Sequence, residues 1–236
     1  MQREYLHWMS PSLSRKMELL WFGHAGRPLI GFPTSAGRFY QLEDFGLIGS
    51  LQGKIEEGRL QVCCVDSVDA ESWYNKSIHP RDRVRRHDQY DRYLHEEILP
   101  FVTARAGRDD VALFGASFGA YHVVNLGCRY PESVASVIAF SGLFDIHRYL
   151  DGYWDELCYY HCPTSYVPNM DAGWVARLWR LQIVVATGEY DHLADANREM
   201  IGIFQRKGIP VTGEIWNGTF GHDWPFWCEH IHRFLP

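Results

Sequence analysis

A serine, an acid and a histidine stand in this chain in the order and settings that nucleophilic catalysis needs. Ser117 lies within Gly115-Ala116-Ser117-Phe118-Gly119, between a short apolar run at 111–114 and a helix-like run at 120–126. Gly-x-Ser-x-Gly between a strand and a helix is the nucleophile-elbow pattern, a tight strained turn that lifts the hydroxyl clear of a sheet. Glycines two residues to either side carry no Cβ, so strand and helix can approach closely. A serine hydroxyl is a poor nucleophile near neutral pH until a base takes its proton. That base is usually a histidine held in one tautomer by a carboxylate. Both partners should follow the serine, acid first, each just past a later strand.

Both are present. The apolar run 181–186 leads into Thr187-Gly188-Glu189-Tyr190-Asp191-His192, which places Asp191 just beyond a strand end. Glu189, nearer the strand, is its rival. The run 211–216 leads into Asn217-Gly218-Thr219-Phe220-Gly221-His222, a glycine-bounded loop immediately before the last helix. Among twelve histidines, His192 is the alternative base, although it sits on the acid's loop. His122 falls inside the elbow helix and reads as a packing or surface residue. His7, His87, His95, His230 and His232 occupy strand or helix positions with no strand-end turn beside them. Asp223 reads as a helix N-cap. A tetrahedral oxyanion needs two backbone N–H donors. Phe118, after the nucleophile, supplies one. The other should come from the loop after residues 28–32, where Pro33 has no N–H, so Thr34 is the first choice and Ser35 the second.

The elements that position these residues follow from apolar patterning. Residues 3–9 and 16–22 read as antiparallel strands and 28–32, 60–65, 135–140, 181–186 and 211–216 as further strands. Helices are expected near 42–57, 84–106, 194–207 and 224–234. In the second of these, Tyr90, Tyr93, Leu94, Ile98 and Phe101 recur at helical spacing. Strands that alternate with helices and are apolar throughout predict an α/β fold with a mostly parallel sheet covered on both faces. The length of 236 residues fits one domain, 1–236. Residues 143–180 break the rhythm with eight tyrosines and tryptophans and two prolines. A connection of that length usually carries function, and it reads as a small helical cap over the strand ends.

Composition narrows the function classes. The net charge of −6 and pI near 6.0 argue against a nucleic-acid partner. The one basic cluster, Arg81-Asp82-Arg83-Val84-Arg85-Arg86, is followed by Asp88 and Asp91 and reads as a solvated helix start. No run reaches the ~18 apolar residues of a membrane span. The first eight residues carry a charge within their apolar stretch, unlike a signal peptide, and a cytoplasmic protein is expected. Six cysteines without a secretion signal are read as free thiols. Cys63 and Cys64 should face opposite sides of a buried strand. Cys158 and Cys162 beside His161, and His222 with Cys228, lack the paired spacing of a metal site.

On these motifs the chain resembles the α/β-hydrolase superfamily, and within it the esterase group of esterase D-like, feruloyl-esterase-like and antigen 85-like enzymes. The resemblance runs from about Pro28 to Phe234. It rests on Gly115-Ala116-Ser117-Phe118-Gly119-Ala120, Gly188-Glu189-Tyr190-Asp191 and Gly221-His222-Asp223-Trp224 with Trp227, with Phe140-Ser141-Gly142 and Pro100 also similar. It implies an eight-stranded type of sheet, no metal or organic cofactor, and hydrolysis of a small carboxylic ester through an acyl-enzyme. The group's usual His-Gly at the oxyanion loop is replaced here by Phe32-Pro33. Three alternatives stay open: a thioesterase, an acyltransferase with the same three residues, and a non-catalytic binding module on the same fold. Oligomeric state and substrate identity have no signal in the sequence.

Overall fold

The computed structural model describes all 236 residues. Eight strands form one sheet: β1 (Arg3–Ser10), β2 (Arg15–Phe22), β3 (Arg27–Phe32), β4 (Leu60–Val65), β5 (Ala112–Ala116), β6 (Ser136–Phe140), β7 (Gln182–Gly188) and β8 (Thr212–Trp216). Their spatial order is β1-β2-β4-β3-β5-β6-β7-β8. The β1–β2 and β2–β4 pairs are antiparallel and every later pair is parallel. The fold class is therefore the expected one, α/β with a mostly parallel sheet.

Three short helices, α1 (Gln41–Asp44), α2 (Leu47–Ser50) and α3 (Gln52–Glu56), replace the single helix expected near 42–57. Gly46, at φ +86°, breaks the run between α1 and α2, and Leu51 separates α2 from α3. The long helix starts earlier than expected, at Pro80, capped by the His79 side chain. It runs as α4 (Pro80–Tyr93) through a π-helical turn, Leu94–Ile98, into α5 (Leu99–Ala106). Next come α6 (Phe118–Arg129), α7 (Glu156–Tyr160), α8 (Pro163–Tyr166), α9 (Ala172–Leu178), α10 (Ala194–Arg206) and α11 (Trp224–His230). No helix is long and apolar enough to cross a membrane.

Successive strand residues feed opposite cores, as the period of two demands. Leu19, Trp21, Cys63, Leu113, Val137 and Val185 join the larger cluster with residues of α4, α5, α6 and α10. Leu20, Phe22, Cys64, Phe114, Ile138 and Val184 join the second, under α1 to α3 and Trp227. Cys63 and Cys64 thus split between the two faces, and all six cysteines are unpaired.

The basic cluster departs from the solvated helix start expected. Arg83 is 2% exposed and donates to the carbonyls of Asn75 and Tyr149 and to Asp151. Arg86 donates to Glu71 and to the Leu13 carbonyl. Two inward-facing positions on the helix turn these guanidiniums into braces for the 72–79 loop and the β1–β2 turn, while Arg81 and Arg85 stay exposed.

The connection from β3 runs to β4 on one side, and the chain then crosses back to place β5 on the other side of β3. Ligands of open parallel sheets bind where strand order reverses, outside the carboxyl ends of the strands. Here that crevice lies between the loop after β3 and the turn after β5, which holds Ser117.

Candidate active site

Ser117 joins β5 to α6 with φ +54° and ψ −118°. A non-glycine residue held at such angles costs about 1–3 kcal/mol, which surrounding structure must supply. Its N–H donates to the Phe140 carbonyl at the end of β6 (2.9 Å), and the packing of the helix against the strand does the rest. A Cβ on Gly115 would lie 2.2 Å from the Gly119 carbonyl carbon and oxygen, and one on Gly119 would lie 2.7 Å from the Pro33 carbonyl oxygen. Two glycines therefore let β5, α6 and the loop after β3 meet at one point. Backbone, not a flexible side chain, fills that space, so Gly115→Ala should lose about 1–3 kcal/mol or more. Chemical denaturation checks this: an unchanged unfolding free energy would show that the elbow tolerates a methyl group.

The acid and the base come from the loops after β7 and β8. His222 Nδ1 lies 3.0 Å from both Asp191 Oδ1 and Asp191 Oδ2. Glu189 does not touch the imidazole; its Oε2 accepts the Gly218 N–H (2.9 Å). The two loops are bound to each other. Glu189 N–H donates to the Trp216 carbonyl and Tyr190 N–H to that of Thr219. Asp191 is buried, 6% exposed, and also accepts from the Thr187 hydroxyl (2.9 Å) and the Leu193 N–H (2.8 Å). Burial alone would raise its pKa, but the bonds from His222 and Leu193 outweigh that and hold it at about 2. With a carboxylate fixed against Nδ1, the imidazole tautomer with its proton on Nδ1 is favoured and the Nε2 lone pair is left open.

Ser117 and His222 line one cleft of about 480 Å³, together with Thr34, Ser35, Phe45, Trp224 and Trp227. No hydrogen bond joins Ser117 Oγ to the ring, a loose geometry common before substrate enters. Phe118, as the first residue of α6, has a backbone N–H with no partner one turn back inside the helix. On the opposite side, the Thr34 N–H donates to Gln41 Oε1 (2.8 Å), and Gln41 Nε2 donates to Thr34 Oγ1 (3.0 Å). The Thr34 N–H is thus engaged by a side chain that does not line the cleft. The Ser35 N–H has no partner, while its hydroxyl accepts from Tyr74 (2.7 Å).

Other expected residues take supporting places. Asp223 caps α11 through the Phe226 N–H (3.0 Å). His122 is buried and pairs with Asp69 (2.9 Å), whose other oxygen accepts the Ala36 N–H (3.3 Å) in the loop after β3. Two supports lacked a signal strong enough to assign from sequence. Ser141 Oγ donates to the Gly221 carbonyl (2.7 Å) and accepts from Trp227 Nε1 (3.1 Å), anchoring the residue before His222. Thr187 fixes Asp191, as its position at the carboxyl end of a strand could have suggested.

None of the residues lining the Ser117 cleft comes from 143–180. That segment packs instead beside α4 and α6, where Tyr159, Tyr166 and Trp174 help line a separate cleft of about 570 Å³. Its link to the site is Tyr149, whose ring lies 5.5 Å from Phe118 and whose hydroxyl meets that of Tyr74 (3.0 Å).

With this geometry in place, residues 43–228 match the family model described as "Putative esterase". A curated acetyl esterase of Caldicellulosiruptor saccharolyticus is 24% identical over 172 residues, a match that takes in 64% of this chain and 64% of that protein's length. Among solved structures, a ferulic acid esterase superposes with a TM-score of 0.80 at 19% identity, covering 100% of this chain and 96% of that one. The S-formylglutathione hydrolase of Staphylococcus aureus gives 0.67 at 15% identity, covering 99% and 96%. At such identities these structures share the fold.

Proposed function

This chain belongs to the Putative esterase family, and from that premise we propose that it is a serine hydrolase that cleaves carboxylic esters through an acyl-enzyme. One observation carries the mechanism: a strained elbow serine and a carboxylate-held imidazole open onto the same cleft. Ser117 attacks the ester carbonyl while His222 Nε2 takes the hydroxyl proton. Asp191 orients the ring and stabilises the imidazolium. The tetrahedral oxyanion rests on the Phe118 N–H and on a second donor from the loop after β3. The Thr34 N–H is engaged by Gln41, so of the two candidates the open N–H of Ser35 is favoured. His222 then protonates the departing alcohol, and water repeats the sequence to release the acid.

The residues 1–236 act as one α/β-hydrolase domain, with 143–180 an insertion that reaches the cleft through Tyr149, Tyr74 and Ser35. Its partner is a small-molecule ester; six unpaired thiols support the cytoplasm as its compartment. The relatives named acetyl esterase and ferulic acid esterase point to a short or an aromatic acyl group. Phe45 stacked on Trp224, with ring centroids 5.4 Å apart and planes at 21°, gives the cleft a flat apolar wall suited to a planar group. Turnover of p-nitrophenyl acetate to octanoate, methyl ferulate and S-formylglutathione, with and without an acceptor alcohol, tests the reading. Oxygen esters should be hydrolysed to free acid. Turnover confined to the thioester, or acyl transfer to the alcohol in preference to water, would replace it with one of the two related activities.

A further inference from the structure

A second imidazole stands beside the catalytic pair and has no part in the proposed reaction. His192 follows Asp191 directly, its side chain is 68% exposed, and its Nδ1 lies 3.4 Å from Asp191 Oδ1. Its ring centroid is 4.3 Å from that of His222. Asp191, His192 and His222 each present a ligand atom, and those atoms all lie within 4.8 Å of one another.

Zinc binds imidazole nitrogen at about 2.0–2.1 Å and carboxylate oxygen at about 2.0–2.2 Å in tetrahedral sites, so neighbouring ligand atoms stand about 3.3–3.5 Å apart. The separations from Asp191 to His222, 3.0 Å, and to His192, 3.4 Å, are close to that edge. The exposed His192 ring is free to complete the set by rotating about its own χ angles. Two imidazoles and a carboxylate suit zinc, whereas magnesium and calcium take oxygen ligands. A fourth position would be left to water, as in three-ligand zinc sites.

We propose that Asp191, His192 and His222 form a zinc-binding site whose occupation switches the esterase off. Binding rests on this geometry alone; the effect on turnover rests on His222 being the base. Zinc takes the Nδ1 lone pair of His222, which requires the tautomer with its single proton on Nε2. The proton passes between the ring nitrogens through solvent, and none is lost. Nε2 then has no lone pair for the Ser117 proton, so the nucleophile is not activated.

The test titrates metal-stripped full-length protein with ZnCl2, following hydrolysis of a p-nitrophenyl ester and, separately, calorimetric binding. Wild type and His192→Ala are compared. The wild type should bind one equivalent and lose activity over the same concentration range, with recovery on adding EDTA. His192→Ala should keep its basal turnover and need at least tenfold more zinc for both effects. Equal zinc sensitivity in the two proteins, or no saturable one-equivalent binding to the wild type, would overturn the site. Binding that depends on His192 but leaves turnover untouched would uphold the site and overturn His222 as the base.

Discussion

Ser117→Ala should lower turnover of every ester substrate by about 10⁶-fold, the scale seen when a triad nucleophile is removed. Its fold should survive. Alanine has the same Cβ as serine, so the strain at φ +54° is unchanged. The Ser117 N–H keeps its bond to the Phe140 carbonyl, and no hydrogen bond of the hydroxyl is lost. The variant should therefore melt within a few degrees of the wild type while retaining only the residual catalysis that the oxyanion donors and binding provide, about 10³–10⁴ over water. Steady-state kinetics beside a thermal melt read both quantities. A folded variant that still turns over ester at near the wild-type rate would remove Ser117 from the mechanism.

Asp191→Asn should cost about 10⁴ in kcat, while Glu189→Gln stays within a few-fold of wild type. The difference is one of tautomers. An asparagine amide can present its NH2 group to His222 Nδ1, which moves the ring proton to Nε2 and leaves no base for Ser117. Glu189 only accepts the Gly218 N–H, and a glutamine carbonyl accepts it equally. The pH dependence has a matching sign. With its pKa lowered to about 2, Asp191 is ionised throughout the usable range, so it does not set the acid limb of the rate profile. Its contribution to stability is full above the unfolded value of about 3.9 and is lost as pH falls towards 2. Equal losses from the Asp191 and Glu189 substitutions would show that the acid loop matters for folding rather than for orienting His222.

Strand positions and element type were legible because they rest on local patterning: apolar runs at 60–65 and 181–186, and turns rich in glycine, are readable one segment at a time. The spacing of Ser117, Asp191 and His222 was legible for a related reason, since each stands just past the end of its own strand. Contacts between distant segments were not. Nothing local shows that Gln41 reaches back to the Thr34 N–H, or that Ser141 and Trp227, bonded to each other, both donate to the Gly221 carbonyl. Arg83 and Arg86 look like surface charges until the 72–79 loop folds over the first and the β1–β2 turn and Glu71 meet the second. The segment 143–180 has the composition of a cap; Tyr166 and Trp174 pack with the core that includes α4 and α6, while Trp154, Tyr160 and Trp179 stay exposed, and composition alone does not separate these uses.

The central claim is that Ser117 is a nucleophile activated by His222 and Asp191. Covalent labelling with a fluorophosphonate, followed by mass spectrometry of the digested protein, tests it most directly. One equivalent of label should be found on the peptide carrying Ser117, none on Ser117→Ala, and labelling should slow sharply in His222→Ala. Label on a different serine, or no label on a protein that hydrolyses esters, would contradict the assignment.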